Sequence, residues 1–167
     1  MHKVGIALGA NLGDRLQQIQ SARDAIQVHS SQQHCLQAPI YHSAPQDCPN
    51  GSPDFYNTVI EILYHGTPEQ LLSITQNIEL ELGREAEHGF NTPRLIDLDL
   101  LYFGKIETCT ELLTIPHPEI TQRRFVLQPL ADIQPDLILP HQQKNVSSLL
   151  SQLDEDDSPL KVAHYNW

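Results

Sequence analysis

The chain has 167 residues, of which 40% are hydrophobic and 19% are charged. This length suits one compact domain and the composition is that of a globular protein, so we expect a single domain over 1–167. The formal net charge of −11 argues against nucleic acids and anionic membranes as partners, because both require a basic surface.

The cysteines and the N-terminal residues indicate the cellular compartment. Cys35, Cys48 and Cys109 contain no CxxC pair, which favours reduced thiols over a disulfide framework. The apolar run at residues 4–8 is too short for a signal sequence or a membrane span. We therefore expect a cytoplasmic protein, and we expect it to be a monomer.

The first part of the chain predicts three strands and one helix. Apolar residues alternate over 4–8, which is typical of a strand. Asn11 or Asp14 can cap the helix that follows, whose apolar residues recur at the helical period. A second strand is predicted at 35–43 and a third, rich in β-branched and aromatic residues, at 55–64.

The clearest local signal marks the start of a second helix after residue 66. Thr67 is a good N-cap, Pro68 suits the first helical position, and Gln70 can close a capping box. Gly83 is expected to end this helix.

The predicted order is strand, helix, strand, strand, helix, strand, with the fourth strand at 95–103. This order is typical of the split-βαβ or ferredoxin-like fold. We therefore predict an α+β sandwich with an antiparallel sheet and its helices on one side. Residues 105–140 add a short extension with a hairpin and a small helix at 126–131, and 152–167 is predicted to be a tail.

Two aspartates, Asp97 and Asp99, occur inside the fourth strand, where aspartate is disfavoured. Alternation places both on one face, about 7 Å apart at ~3.3 Å per residue. Carboxylates at this separation can bracket one or two hard cations such as Mg²⁺, as in phosphoryl transfer. A solvated strand face is the structural alternative. The opposite face is predicted to pack on the helices through Ile96, Leu98, Leu100 and Tyr102.

Arginines and a histidine near this strand form further candidates. Arg84 and Arg94 bracket the preceding loop, where guanidinium groups can bind a polyphosphate bidentately or serve as structural partners of the acidic residues. His117 is held between two prolines and is followed by Arg123. This segment suits a phosphate chain, although a proline-flanked histidine in a turn is also common.

Six stretches, taken in order, resemble a known family. They are ALGANLGD at 7–14, SPDFYNTV at 52–59, IELELGR at 78–84, PRLIDLDLLYFG at 93–104, LTIPHP at 113–118 and RRFVLQPL at 123–130. Together they resemble the 6-hydroxymethyl-7,8-dihydropterin pyrophosphokinases of folate biosynthesis. The resemblance covers about 4–140, and its most specific parts are PR-x-x-DLDLL and IPHP.

This resemblance implies a transferase that moves pyrophosphate from ATP to the hydroxymethyl group of the reduced pterin, releases AMP and uses two Mg²⁺ ions. It implies Asp97 and Asp99 as metal ligands and Arg84 and Arg94 as catalytic residues. The residues that it places around ATP are Gln76, Glu79, Arg84, Arg94, Leu100, Thr114, His117 and Arg123. Those that it places around the pterin are Ser43, Ala44, Phe55, Asn57, Asp97 and Phe125, with the two phenylalanines stacking on the ring and Asn57 hydrogen-bonding its edge.

The loop over 85–92 departs from the family pattern. Ala86 stands where the family usually carries another arginine, and Asn91-Thr92 replace its usual Trp-Gly. Glu85 and Glu87 add negative charge where a triphosphate should pass, so we expect weaker nucleotide binding.

Two other functions are kept open by the sequence. A non-catalytic relative would bind pterin or nucleotide without turnover, and a metal-dependent phosphohydrolase would use the same aspartates to break down ATP. The first is disfavoured by the aspartate pair together with two loop arginines, which a binding protein does not need. The second leaves unexplained the residues suited to an aromatic bicycle, namely Phe55, Asn57 and Phe125.

Overall fold

The computed structural model describes residues 1–44, 54–83, 95–153 and 160–167. Arg84, Arg94, Cys48, the altered loop over 85–92 and the acidic run at 154–157 lie outside the described residues. The strands are β1 His2–Ala10, β2 Cys35–Gln37, β3 Ile40–Ser43, β4 Phe55–Tyr64, β5 Asp97–Phe103, β6 Thr108–Cys109, β7 Thr114–Ile115 and β8 Lys161–His164. The α-helices are α1 Arg15–Gln27, α2 Pro68–Glu81, α3 Arg124–Ile133 and α4 Val146–Leu150.

The main sheet is antiparallel and has the strand order β5-β1-β4-β3-β8, with β2 pairing with β4 beside β3. The predicted second strand at 35–43 is therefore two short strands, interrupted at Ala38 and Pro39. Proline lacks the N–H that a continuous ladder requires, which accounts for the break. A separate two-stranded sheet, β6-β7, confirms the predicted hairpin.

The predicted helix signals are confirmed. Asp14 caps α1, since its carboxylate accepts a hydrogen bond from the Gln17 amide at 3.0 Å. Thr67 and Gln70 form the reciprocal capping box at the start of α2. Gly83 follows α2 with a φ of +96°, a conformation that favours glycine. Among the described helices, none has both the length and the apolar character needed to span a membrane.

The two helices of the predicted core, α1 and α2, lie on one side of the sheet as predicted, whereas α3, the small helix of the predicted extension, covers the other side. Helices α1 and α2 contribute to the core on one face, here called the α1–α2 face. Helix α3 packs on the other, called the α3 face, and α4 packs against α3. The reason is that this second face is also apolar away from the aspartates, through Val59 and Leu101, and α3 buries its own apolar stripe there.

A β-bulge changes the face on which β5 presents its later residues. Gly5 pairs with Tyr102 while Ile6 pairs with Leu100, so Leu101 is an extra residue. Tyr102 therefore lies on the α3 face, where its hydroxyl donates to Glu61 Oε2 at 2.7 Å. The prediction that Tyr102 shares the face of Leu98 and Leu100 is wrong for this reason.

The predicted tail is also wrong over residues 160–167. Strand β8 pairs with β3, and the indole Nε1 of Trp167 donates to the Ala38 carbonyl oxygen at 2.8 Å. Without β8, β3 would present unpaired N–H and C=O groups at the edge of the sheet, and the C-terminal residues satisfy them.

We predict that Gly5→Ala destabilises the fold. A Cβ at this position would lie 2.1 Å from Cε1 of Tyr102, so the ring or the strand must shift. Overpacking of this kind costs about 1–3 kcal/mol of the free energy of unfolding. Urea denaturation measures it, with Asn77→Ala on the exposed side of α2 as the control. An unchanged midpoint for Gly5→Ala would contradict the close packing of Tyr102 on β1.

Candidate active site

The two aspartates lie on the α3 face, as the alternation predicts. Asp97 pairs with Gly9 and Asp99 with Ala7 on the neighbouring strand β1. Leu98, between them, points into the opposite core and is 5% exposed. Gly9 has no side chain and Ala7 carries only a methyl group, which packs against the core of the α3 face, so the β1 residues beside the carboxylates are small.

Asn57 lies on the other side of Gly9, on strand β4. Its Nδ2 donates to Ser43 Oγ on β3 at 2.5 Å, and both side chains are buried. A Cβ on Gly9 would lie 2.9 Å from Asn57 Oδ1. The absence of a side chain at Gly9 therefore allows the side-chain amide of Asn57 to lie over β1. Because Nδ2 is engaged by Ser43, the amide has a defined orientation, which suits recognition of a polar ring edge.

The aromatic residues assigned to the pterin occupy two different elements. Phe55 begins β4, and Phe125 lies in the first turn of α3 and packs against the core of the α3 face. The guanidinium carbon of Arg123 is 5.5 Å from the centre of the Phe125 ring. The start of α3 therefore brings an aromatic face and a cation together. Ala44 directly follows Ser43 and is exposed.

His117 is fixed along the outer edge of β5. Its N–H donates to the Leu101 carbonyl oxygen at 2.8 Å, and its Nδ1 accepts from the Glu119 N–H at 3.2 Å. Burial, and then the nearby Arg123 guanidinium, lower the pKa of His117 below its ordinary value. The imidazole is therefore neutral at pH 7, and with Nδ1 accepting, its proton is on Nε2, where it can serve as a donor.

Glu119 is a residue that the sequence analysis missed. Its carboxylate forms an ion pair with Arg123, and its N–H orients His117. Residues 119–122 form a turn before α3, so the helical rule that pairs charges four residues apart could not have indicated this ion pair. One residue thus holds two of the side chains expected near ATP.

Glu79 reaches from α2 to the strand that carries the aspartates. It is 5% exposed, and its Oε1 accepts from the Leu98 N–H at 2.7 Å. Leu100 is 3% exposed in the core, so its main chain, not its side chain, is available to a nucleotide. Gln76 is exposed on α2, and Thr114 lies on β7.

Within the described ranges, predicted residues thus lie on either side of the aspartates. The residues assigned to the pterin lie towards β1, β4 and β3, where Asn57 and Ser43 are bonded. Of those assigned to ATP, Glu79 and His117 lie along the outer edge of β5, where Glu79 accepts from the Leu98 N–H and the His117 N–H donates to the Leu101 carbonyl oxygen.

Comparison with known proteins identifies the family. The model of the 7,8-dihydro-6-hydroxymethylpterin-pyrophosphokinase (HPPK) family matches residues 5–135. The chain belongs to this family. A 2-amino-4-hydroxy-6-hydroxymethyldihydropteridine pyrophosphokinase of Pseudomonas aeruginosa is 39% identical over 140 residues, which cover 84% of this chain and 85% of the relative. One of the same name in Bacillus subtilis is 39% identical over 128 residues, 77% of this chain and 75% of the relative.

Some similar proteins are much longer than this HPPK chain. The folic acid synthesis protein fol1 of Pneumocystis carinii is 37% identical over 94% of this chain, which spans 21% of that protein. The crystal structure of Plasmodium falciparum HPPK-DHPS wild type with pteroate has a TM-score of 0.67 at 13% identity, covering 90% of this chain and 42% of that one. This likeness confirms the predicted ferredoxin-like α/β fold.

The predicted family and reaction are confirmed. The chain is a diphosphokinase, an enzyme that transfers pyrophosphate from ATP to hydroxymethyldihydropterin in folate synthesis.

We predict that Glu79 stabilises β5 through its bond to Leu98. Glu79→Leu leaves the buried Leu98 N–H without this acceptor and should cost about 1–3 kcal/mol of the free energy of unfolding. Glu79→Gln keeps an oxygen acceptor and should lose less of the free energy of unfolding than Glu79→Leu. Urea denaturation of both variants measures the difference. Equal stability of the leucine variant and the unaltered enzyme would contradict a structural role for this bond.

Proposed function

We propose that the transfer requires Mg²⁺ and takes place on the α3 face at Asp97 and Asp99. One observation carries this proposal: the aspartate pair lies between the Ser43–Asn57 pair on one side and His117 at the edge of β5 on the other. This arrangement suits a reaction that joins two substrates, because each substrate can approach the carboxylates from its own side.

The donor chemistry of the pair fits Mg²⁺. Carboxylate oxygens are hard ligands, and Mg²⁺ is commonly held by one or two of them together with substrate phosphates. Across the described ranges, no cluster of three or more His, Cys, Asp or Glu side chains could form a complete metal site alone. The proposal is therefore that Asp97 and Asp99 hold two ions jointly with ATP. Bound Mg²⁺ supplies neutralisation of the phosphate charge.

The pterin set is proposed to bind a flat, neutral bicycle. Asn57, oriented by Ser43, would hydrogen-bond the polar edge of the ring, and the main chain at Ala44 would meet the same edge. Phe55 and Phe125 would contact the two ring faces, since aromatic pairs stack favourably in buried sites. Asp97 lies in register with Gly9 and Asn57, which favours an approach of the hydroxymethyl group to this carboxylate.

The nucleotide set is proposed to bind ATP along the edge of β5. The neutral His117 can donate from Nε2 to a phosphate oxygen, and Arg123 adds a bidentate cation. Arg84 and Arg94 are proposed to close on the triphosphate and stabilise charge during transfer. Gln76, Glu79, Thr114 and the main chain of Leu100 are proposed to contact the rest of the nucleotide.

The chemistry requires no covalent enzyme intermediate. The pterin hydroxyl oxygen forms a bond to the β-phosphorus of ATP, and the bond from that phosphorus to the oxygen bridging it to the α-phosphate breaks. AMP leaves with that oxygen, and the hydroxyl proton is lost to solvent or to a nearby carboxylate. Positioning and charge stabilisation are the main contributions of the protein to such a step.

We predict that Asp97→Ala abolishes most Mg²⁺-dependent activity. Loss of one ligand removes stabilisation worth several kcal/mol, so kcat should fall about a hundredfold or more. The measurement is AMP release as a function of Mg²⁺ concentration. Glu111→Gln, at an exposed position in the hairpin turn, is the matched acidic control and should behave as the unaltered enzyme. Unchanged turnover in Asp97→Ala would remove the metal assignment.

We predict that Arg94→Ala slows transfer more than it weakens ATP binding. A cation that acts on the transition state is expected to affect kcat by about a hundredfold or more. Single-turnover rates and the Kd of a non-hydrolysable ATP analogue separate the two effects. Equal losses in rate and in affinity would mean that Arg94 only anchors the ground state.

The location in the cell, the oligomeric state and the single domain over 1–167 stay predictions. A cytoplasmic monomer acting on ATP and the reduced pterin is the form proposed here.

A further inference from the structure

Residues 160–167, here called the C-terminal segment, connect three elements of the fold. At its start, the Leu160 N–H donates to Gln128 Oε1 on α3 at 3.1 Å, and Gln128 Nε2 donates back to the Leu160 carbonyl oxygen at 3.4 Å. In its middle, β8 pairs with β3. The segment lies outside residues 5–135, the part matched by the family model.

The end of the segment is held by the most extensive set of contacts. The Trp167 indole N–H donates to the Ala38 carbonyl oxygen at 2.8 Å. The main-chain oxygen of Trp167 accepts from Gln37 Nε2 at 3.0 Å and from the Arg23 guanidinium. The Arg23 guanidinium also lies 4.9 Å from the centre of the Trp167 ring. Through Arg23 the segment is fixed to α1, and through Gln37 and Ala38 to the chain just before β3.

Strand β3 depends on these contacts more than a longer strand would. It has four residues and pairs with β4 at three, of which the last is Ser43 opposite Phe55. Without β8 it would be a short edge strand with unpaired N–H and C=O groups along its outer side. Ser43 accepts the hydrogen bond that orients Asn57, so displacement of β3 would also displace the Asn57 side-chain amide.

The same strand is also tied to the helix that carries Phe125. The Tyr41 hydroxyl donates to Asp132 Oδ2 on α3 at 2.6 Å. Burial and this hydrogen bond raise the pKa of Tyr41 to about 12, so the hydroxyl stays a donor at all ordinary pH values. Residues 160–167 thus contact β3 and, through Gln128, α3, which are the elements that carry Ser43 and Phe125.

We propose that the C-terminal segment is a positioning element for the pterin side of the active site. By pairing with β3 and anchoring to α1 and α3, it holds Ser43, and through it Asn57, in register with Phe125. The proposal rests on the pterin roles proposed above for these three residues. The nucleotide residues along β5 should not depend on the segment, because β5 and β8 are at opposite edges of the sheet.

The test compares the full chain with two variants that release the segment. One lacks residues 160–167. The other is Arg23→Ala, which removes contacts to Trp167 but keeps this residue, the only tryptophan of the chain, as a fluorescent reporter of docking. Tyr165→Ala, at a side chain that is 74% exposed, is the control within the same segment.

Both releasing variants should raise the KM for the pterin about tenfold or more, because small displacements of substrate-positioning groups are costly. The KM for ATP should stay within about twofold, a change of under half a kcal/mol. In Arg23→Ala the tryptophan emission should shift to longer wavelength as the ring becomes solvated, and Tyr165→Ala should match the full chain in all three measurements.

Three results would overturn the proposal. One is an unchanged pterin KM in the shortened chain, and another is a parallel rise in both KM values, which would indicate a general structural role. The third is a shifted tryptophan emission in Arg23→Ala with normal pterin kinetics. This third test does not depend on whether the shortened chain folds. Asn57→Ala in the full chain shows whether the positioning proposal or the proposed pterin site has failed. A normal pterin KM for Asn57→Ala would remove Asn57 from the pterin site itself.

Discussion

The register between strands β5, β1 and β4 is the constraint on which the active site depends. It aligns Asp97, Gly9 and Asn57 in one row across three neighbouring strands. The carboxylate and the amide share a face with a glycine between them, and a Cβ there would meet Asn57 Oδ1 at 2.9 Å. A slip of one residue would turn the aspartates into the α1–α2 core, where no water could solvate them. The strand pairing that builds the sheet therefore also positions the side chains of Asp97 and Asn57.

This sheet has to bury two faces and keep part of one open. The α1–α2 face is mainly apolar, whereas the α3 face carries α3 at one end and the aspartates at the other. The bulge at Leu101 turns Tyr102 onto the α3 face, where it bonds Glu61, and Glu61 also accepts from Gln134 at the end of α3 at 2.9 Å. The far end of α3 is thereby anchored, and its first turn is left at the site with Phe125.

Features that depend on neighbours in sequence were predictable, and features that depend on distant partners were not. The capping box at Thr67 involves four adjacent residues, and the alternation of Asp97 and Asp99 is a local property of any strand, so both were predicted correctly. The position of Tyr102 depends on a bulge fixed by the partner strand, and β8 is a four-residue strand whose pairing partner lies more than a hundred residues away. Neither leaves a local pattern. The family motifs gave the site residues their roles, and the structure shows how the described ones are placed. For Glu79 it adds a bond to Leu98 that no motif indicated.

Formation of AMP by the purified chain, given ATP, Mg²⁺ and 6-hydroxymethyl-7,8-dihydropterin, tests the proposed two-substrate site most directly. The site predicts AMP and the pterin diphosphate in equal amounts, and only when the pterin and Mg²⁺ are both present. Breakdown of ATP without the pterin would indicate a phosphohydrolase instead. Absence of AMP from a protein that still binds both ligands would contradict catalysis at Asp97 and Asp99 and leave a binding protein.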